Sequence, residues 1–389
     1  MSAIFNLFYI YDPWLFHFIR MAFVAGIVGL FWLGYRLYQQ KQNGIVIPKD
    51  SLMVIMGLML FSAIPMLIYG TKDFSVIVMY CKSLILFGFG IGLYNLFYRE
   101  NPHLVIRDFK IGISMQAVIG FIALLSVPFM IEFALSSNVI LSKFYGSEQE
   151  YRLYNLTSSA FFQLSLFYLM LLHFLLAYNA KYNNIHSAFL FLMLFIGLIS
   201  GRTFLVLSLV SIALYFKWRY LPALLLFGSI CLFLAFNYAD NRYVEHALEP
   251  LINLIHAKGT VSSSTDTLVQ KHLFIPELKQ ILWGDGYYYA KTGGYYGGTD
   301  SGFLRQLLYG GVGYVALCFS FTAYFVFRIA QNWFDGSWKF ILSTLALLTI
   351  LNVKADTYAY PGIMMILLMF LSLFGNVGQQ IILFKQKGK

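Results

Sequence analysis

Charge is scarce in this sequence. Only 11% of the 389 residues are Asp, Glu, Lys or Arg, against about 25% in a soluble domain. A soluble fold still exposes roughly a quarter of its unfolded surface at ~300 residues. A chain that is 59% hydrophobic has too little polar surface to cover it. A soluble enzyme and a disordered chain are therefore excluded. Cysteine is scarce too. Cys81, Cys231 and Cys318 all lie in apolar runs without a CxxC partner, which excludes a disulfide scaffold and suggests no zinc site. The opening MSAIFNLFYIYDPW lacks a basic region and a small-residue cleavage site, so it reads as retained. What is abundant is apolar and aromatic: 19% Phe, Trp and Tyr, with a mean hydropathy of +0.70. The chain reads as an all-α polytopic membrane protein.

A helix needs ~20 apolar residues to cross the hydrocarbon core. Spans are expected at about 14–38, 51–70, 75–98, 110–136, 158–179, 186–200, 203–216, 221–238, 303–327, 339–353 and 360–384. That makes about eleven transmembrane helices, with the sixth, seventh and tenth short. They divide the chain into helices 1–8 over 1–238, a large loop over 239–302, and helices 9–11 over 303–389. Alternate connections carry 14 basic residues against four acidic ones, and the opposite set ten against twelve. The positive-inside bias puts the N-terminus and the large loop outside and the C-terminus inside. The net charge of +10 is thus orientation charge, with no nucleic-acid partner implied. No internal repeat is visible, whereas many transporters are built from two related halves.

Ionisable residues within spans are costly and mark function by default. Here they gather toward the outer leaflet: Arg20, Lys82, Glu132, Arg202, Arg305, Lys354 and Asp356, with His173 the deeper exception. Each could snorkel or form a private ion pair. Five cations at one depth on separate helices could instead share an anion, and a pyrophosphate has the right charge. The outer loops contain no D-x-D pair. Mg²⁺-bound pyrophosphate chemistry usually needs carboxylates, so direct neutralisation by Arg and Lys is favoured, with no metal and no cofactor.

The stretch WGDGYYYAKTGGYYGGTDSG (283–302) is mostly Gly and Tyr. Tyr287, Tyr288, Tyr289, Tyr295 and Tyr296 offer flat faces and hydroxyls suited to a glycan; alternatively they form an aromatic belt on a flexible interfacial loop. Asp300 precedes the ninth span, as a general base for a sugar hydroxyl or merely as a helix cap. Gly310, Gly311 and Gly313 would let that helix pack closely on a neighbour.

Spans broken at Ser-Gly-Arg-Thr (200–203), a long loop, WGDGYYY and then TDSGFLRQLLYGGVGY (299–314) together resemble the bacterial O-antigen polymerases of the Wzy type, and are similar to the related O-antigen ligases. The resemblance covers the whole chain in span layout but only about 200–203 and 283–314 in residues. It implies a GT-C-like inner-membrane glycosyltransferase with one large periplasmic loop. Such an enzyme moves a glycan from one undecaprenyl-pyrophosphate carrier to the sugar of another. Arg202 matches the family's arginine at the broken span, and Gly284 and Gly286 its Gly-x-Gly. Asp300 stands where the ligases have His-Asn. An arginine that many relatives place before the Gly-x-Gly is missing; Lys271, Lys279, Arg242 or Arg305 could replace it. The resemblance thus implies Arg202 and Arg305 on the leaving diphosphate, and Asp300, or His272 or Glu277, as base. Arg20, Lys82, Arg242, Lys271, Lys279, Lys354 and the five tyrosines would bind substrate. A chain-length regulator in the membrane is implied as a further partner. The competing readings are a ligase and a non-catalytic flippase of lipid-linked oligosaccharides.

Overall fold

Periodicity is weak in so apolar a sequence, so partners decide which runs become membrane helices. The computed structural model describes residues 1–16, 19–125, 128–129, 132, 157–159, 161–257, 259, 262–291, 293–376 and 378–385. Helices dominate: α1 (Ser2–Tyr11), α2 (Met21–Tyr38), α3 (Lys49–Tyr69), α4 (Ser75–Leu93), α5 (Leu104–Leu125), α6 (Phe161–Tyr182), α7 (Ser187–Ser200), α8 (Arg202–Leu214), α9 (Leu221–Asn237), α10 (Arg242–Ile255), α11 (Ser263–Thr267), α12 (Leu278–Trp283), α13 (Gly302–Phe334), α14 (Trp338–Asn352) and α15 (Ile363–Leu371). Sheet is confined to two antiparallel pairs, β1 (Trp14–Phe16) with β2 (Ile19–Arg20) and β3 (Ile45–Pro48) with β4 (Gln380–Leu383). This is an all-α membrane protein.

Seven helices among the described residues are long and apolar enough to span, and α1, α7, α8 and α14 are shorter apolar helices. The three short expected spans are the short helices α7, α8 and α14. The first expected span, 14–38, starts with the β1–β2 pair, so Arg20 precedes the helix instead of lying within it. The last, 360–384, is not one helix. After α15 the chain turns into β4, where Gln380–Leu383 pairs with Ile45–Pro48. Hydropathy sums apolar side chains, and Ile-Ile-Leu suits a strand once a partner backbone is present. The expected outer loop 137–157 lies almost wholly outside the described residues, as does the end of the span 110–136.

The chain divides into two units: Met1–Phe31, Leu96–Ser262 and Gly362–Leu367; and Trp32–Asn95, Ser263–Pro361 and Leu368–Lys389. The connection 239–302 is shared, with α10 in the first unit and α11, α12 and the Gly-Tyr segment in the second. In the first unit, α6 is buried on every face, from Leu164 through Tyr178. A helix apolar all round belongs inside such a bundle. By contrast α9 exposes Leu225, Leu226, Phe233 and Phe236, a face for lipid. In the second unit, α13 packs against α3, α12 and α14.

Candidate functional site

The site in the second unit is built on a broken helix. α13 is non-helical at Gly310 and Gly311. The break leaves the preceding carbonyls to find donors outside the helix. Leu308 O accepts from the Asp285 N–H at 2.7 Å and Tyr309 O from the Gly286 N–H at 3.0 Å. The Gly-Asp-Gly segment therefore caps the break. Gly284 and Gly286 both have positive φ, 72° and 75°, and a Cβ on Gly284 would lie 2.6 Å from the backbone of Tyr309 and Gly310. Gly310 and Gly311 thus serve a kink as well as close packing: a Cβ on Gly310 would lie 2.7 Å from Pro65 of α3, whereas one on Gly313 would meet nothing within 4 Å. Gly311 has φ +68°, and a Cβ there would lie 2.3 Å from Leu282 O. Gly311→Ala is expected to destabilise the protein by about 1–3 kcal/mol, read as a lower melting temperature in detergent. Gly313→Ala, whose Cβ meets nothing within 4 Å, is expected to be neutral or stabilising by up to ~1 kcal/mol.

Residues 288–291 and 293–296 fold back on one another. Tyr296 N–H donates to Tyr288 O at 3.0 Å, Tyr289 and Tyr295 form a bridge, and their rings stack 5.3 Å apart. The connection between α3 and α4 holds this hairpin. Asp73 accepts from the N–H groups of Tyr288 and Tyr289 at 2.8 and 3.1 Å, and Thr71 Oγ1 donates to Gly286 O at 2.8 Å. Burial disfavours the charged form of Asp73, but the Ser75 hydroxyl and the backbone N–H groups of Tyr289, Tyr288 and Ser75 outweigh it and hold its carboxyl below the ordinary value. The described residues of the tyrosine segment therefore pair as a hairpin.

Charges collect where the hairpin meets the start of α13. Arg305, 5% exposed, donates from Nη1 to Asp356 Oδ2 at 2.8 Å and from Nη2 to Asp300 Oδ1 at 2.9 Å. Its Nε donates to Thr299 O at 3.0 Å, and its guanidinium stacks 3.2 Å from the Tyr295 ring centroid. Asp356, 1% exposed, also accepts from Tyr288 Oη at 2.6 Å. Burial raises its pKa, against the opposing pull of Arg305 and Tyr288. Asn352 sets its position: it ends α14, and its Oδ1 accepts from the Thr357 N–H at 2.8 Å. Burial likewise pushes the Tyr289 hydroxyl up to about 12. Asp300 is 56% exposed and forms no helix cap, since Ser301 is the N-cap of α13. His272 faces it: Nδ1 lies 3.3 Å from the Asp300 N–H and Nε2 3.5 Å from Oδ2. Nδ1 also lies 3.2 Å from Gly298 O. The result is a solvent-facing carboxylate braced by one arginine, with a histidine beside it.

The structure thus brings together Asp300, His272, Arg305, Tyr288 and Tyr295. Tyr288 is 3% exposed, so it is a core ring bonded to Asp356 and not an open face for a sugar. Tyr287 and Tyr296 lie with ring centroids 5.5 Å apart, and the Tyr296 hydroxyl donates to Asp285 at 3.1 Å. Glu277 is the N-cap of α12, in a reciprocal capping box with Gln280; that role takes up the carboxylate offered as a base. Lys271 and Lys279 are exposed, with Lys279 5.8 Å from the Tyr69 ring centroid. Lys82 is exposed on α4, and Lys354 donates to Ser264 at 3.2 Å.

In the first unit, Arg202 opens α8, is buried, and pairs with Glu249 of α10. Gly201 before it has φ +155°, and a Cβ there would lie 2.4 Å from Ser165 Oγ, which explains the Ser-Gly-Arg break. Arg242 is exposed at the start of α10, and Arg20 pairs with Asp12, whose Oδ2 accepts from Arg20 Nε at 2.6 Å. His173 is buried beside Ser211 Oγ at 3.0 Å. So Arg20, Arg202 and Arg305, expected to share one diphosphate, each pair with a carboxylate of their own. Asp12, Asp73, Asp285 and Glu249 went unread, although an acid in a five-residue connection such as 70–74 is a usable signal. Among the described residues no group of three His, Cys, Asp or Glu could hold a metal ion. No protein-family model, curated protein or solved structure matches the chain.

Proposed function

We propose that this chain is an inner-membrane glycosyltransferase of the O-antigen polymerase kind, taking its donor glycan from a polyprenyl pyrophosphate. The observation that carries the reading is the exposed Asp300 carboxylate, braced by Arg305 and flanked by His272 at the membrane end of α13. The acceptor hydroxyl gives its proton to Asp300 Oδ2. Its oxygen attacks the donor's anomeric carbon, and the bond to the diphosphate breaks with both electrons leaving on the diphosphate. Protonation cancels the charge that Asp300 presents to Arg305. The Nη2 side of the fork is then released toward the departing anion just as that anion's charge develops. Stacked Tyr289 and Tyr295 line the approach, and the apolar helices take the lipid tails. The Gly-Asp-Gly cap and the Asp73 contacts keep the hairpin in register with the start of α13.

A strain deleted for this gene, examined by polysaccharide gel, tests the reading. Loss of the ladder with a single repeat still attached to the lipid core is the expected result. Loss of every repeat from the core, with long carrier-linked polymer retained, would make the protein a ligase. An unchanged ladder would end the glycosyltransferase reading.

A further inference from the structure

We propose that the start of α5 is a binding site for an anionic glycerophospholipid, independent of the transfer chemistry above. Arg107 and Lys110 stand at one end of an open groove of about 460 Å³, and Ile111, Met115, Val118 and Ile119 continue it along the helix. Positions 111, 115 and 118 follow the three-to-four spacing of one helix face, and all three side chains are exposed. This face alone would meet any acyl chain. The cations at its end make it selective.

The Arg107 guanidinium is fixed in place. Its Nε and Nη2 both donate to Asp108 Oδ1, at 3.0 and 2.9 Å, and Nη2 also reaches Ser2 Oγ at 2.9 Å. Nη1 makes no hydrogen bond among the described residues. Asp108 is fully buried and also accepts from Tyr98 Oη at 2.9 Å, so it is committed to holding the fork. Lys110 Nζ donates once, to Asn184 O at 3.2 Å, although an ammonium has three donors. No carboxylate lies within ion-pair distance of Lys110 among the described residues. The groove therefore ends in one oriented fork and one ammonium with donors to spare, in the first two turns of a helix long and apolar enough to span. A phosphodiester oxygen satisfies both. A zwitterionic headgroup adds a cation next to Lys110, whereas a phosphatidylglycerol-type headgroup adds none. The acyl chain then lies along Ile111, Met115 and Val118.

The test is native mass spectrometry of the full-length, detergent-solubilised protein titrated with phosphatidylglycerol or with phosphatidylcholine of the same chains. The wild type is expected to retain phosphatidylglycerol more tightly. Lys110→Gln should weaken it about fivefold, and Arg107→Gln with Lys110→Gln about thirtyfold, with phosphatidylcholine unaffected. Val118→Trp, which fills the groove without touching the Arg107–Asp108 pair, should also lower phosphatidylglycerol retention. If the double variant fails to fold, the Lys110→Gln and Val118→Trp results decide. Equal retention of both lipids by the wild type overturns the proposal, as does unchanged phosphatidylglycerol binding in Lys110→Gln and Val118→Trp. Competition by soluble glycerol phosphate as strong as by phosphatidylglycerol also overturns it, because the groove would then play no part.

Discussion

Asp300→Asn is expected to lower glycan transfer by about 10²–10⁴-fold while leaving the protein folded and inserted. The side chain is more than half exposed, and an amide oxygen still accepts from Arg305 Nη2, so the brace survives while the base is lost. Transfer is read as polymer formed by membranes from a deletion strain that carries the variant. The contrast with His272→Gln locates the proton acceptor. If Asp300 is the base, the histidine variant retains more activity than the asparagine variant, since His272 contacts Oδ2 only at 3.5 Å. Normal polymer from Asp300→Asn would remove the base from the mechanism. A greater loss in His272→Gln would pass that role to the histidine.

The largest stability effect is expected at Arg305. Arg305→Met leaves Asp356 buried without its counter-charge, a change that costs about 3–5 kcal/mol in buried pairs. Asp356→Asn in the same background should recover much of that loss. The double-mutant cycle thereby separates a lost ion pair from lost packing. The pH dependence has a definite sign. Burial raises the Asp356 pKa, against Arg305 and Tyr288. A carboxyl raised in the folded state holds its proton more tightly there than when unfolded. Its contribution to stability is present at low pH and is lost as pH rises through the folded value. Removing Arg305 takes away the largest opposing influence, so the deficit of Arg305→Met should widen from acid to neutral pH. Melting curves in detergent across that range check it. A deficit that stays constant, or widens toward acid, would mean that Asp356 is not the group left uncompensated.

The residues differ in how plainly they announced themselves. Gly284 and Gly286 could be singled out because they match the Gly-x-Gly that the resemblance implies. Their actual task, capping the carbonyls of Leu308 and Tyr309, depended on a helix break some two dozen residues later. Asp300 and Arg305 flank one helix start. Asp356, the second partner of Arg305, lies beyond a whole further span, and no local pattern links the two. Arg202 was legible as a charge at a break, but its partner Glu249 sat unremarked in the middle of an amphipathic helix.

Composition by itself determined that this chain lives in a membrane as a bundle of helices, because apolar surface on this scale has no other solvent. It also determined where the glycines, tyrosines and outer charges fall along the chain. Only the tertiary structure decided which apolar runs are helices, since the expected span 360–384 divides into the helix α15 and the strand β4. It alone decided which carboxylate neutralises which arginine. An ion pair is a meeting of side chains remote in sequence, and hydropathy and spacing carry no record of that meeting.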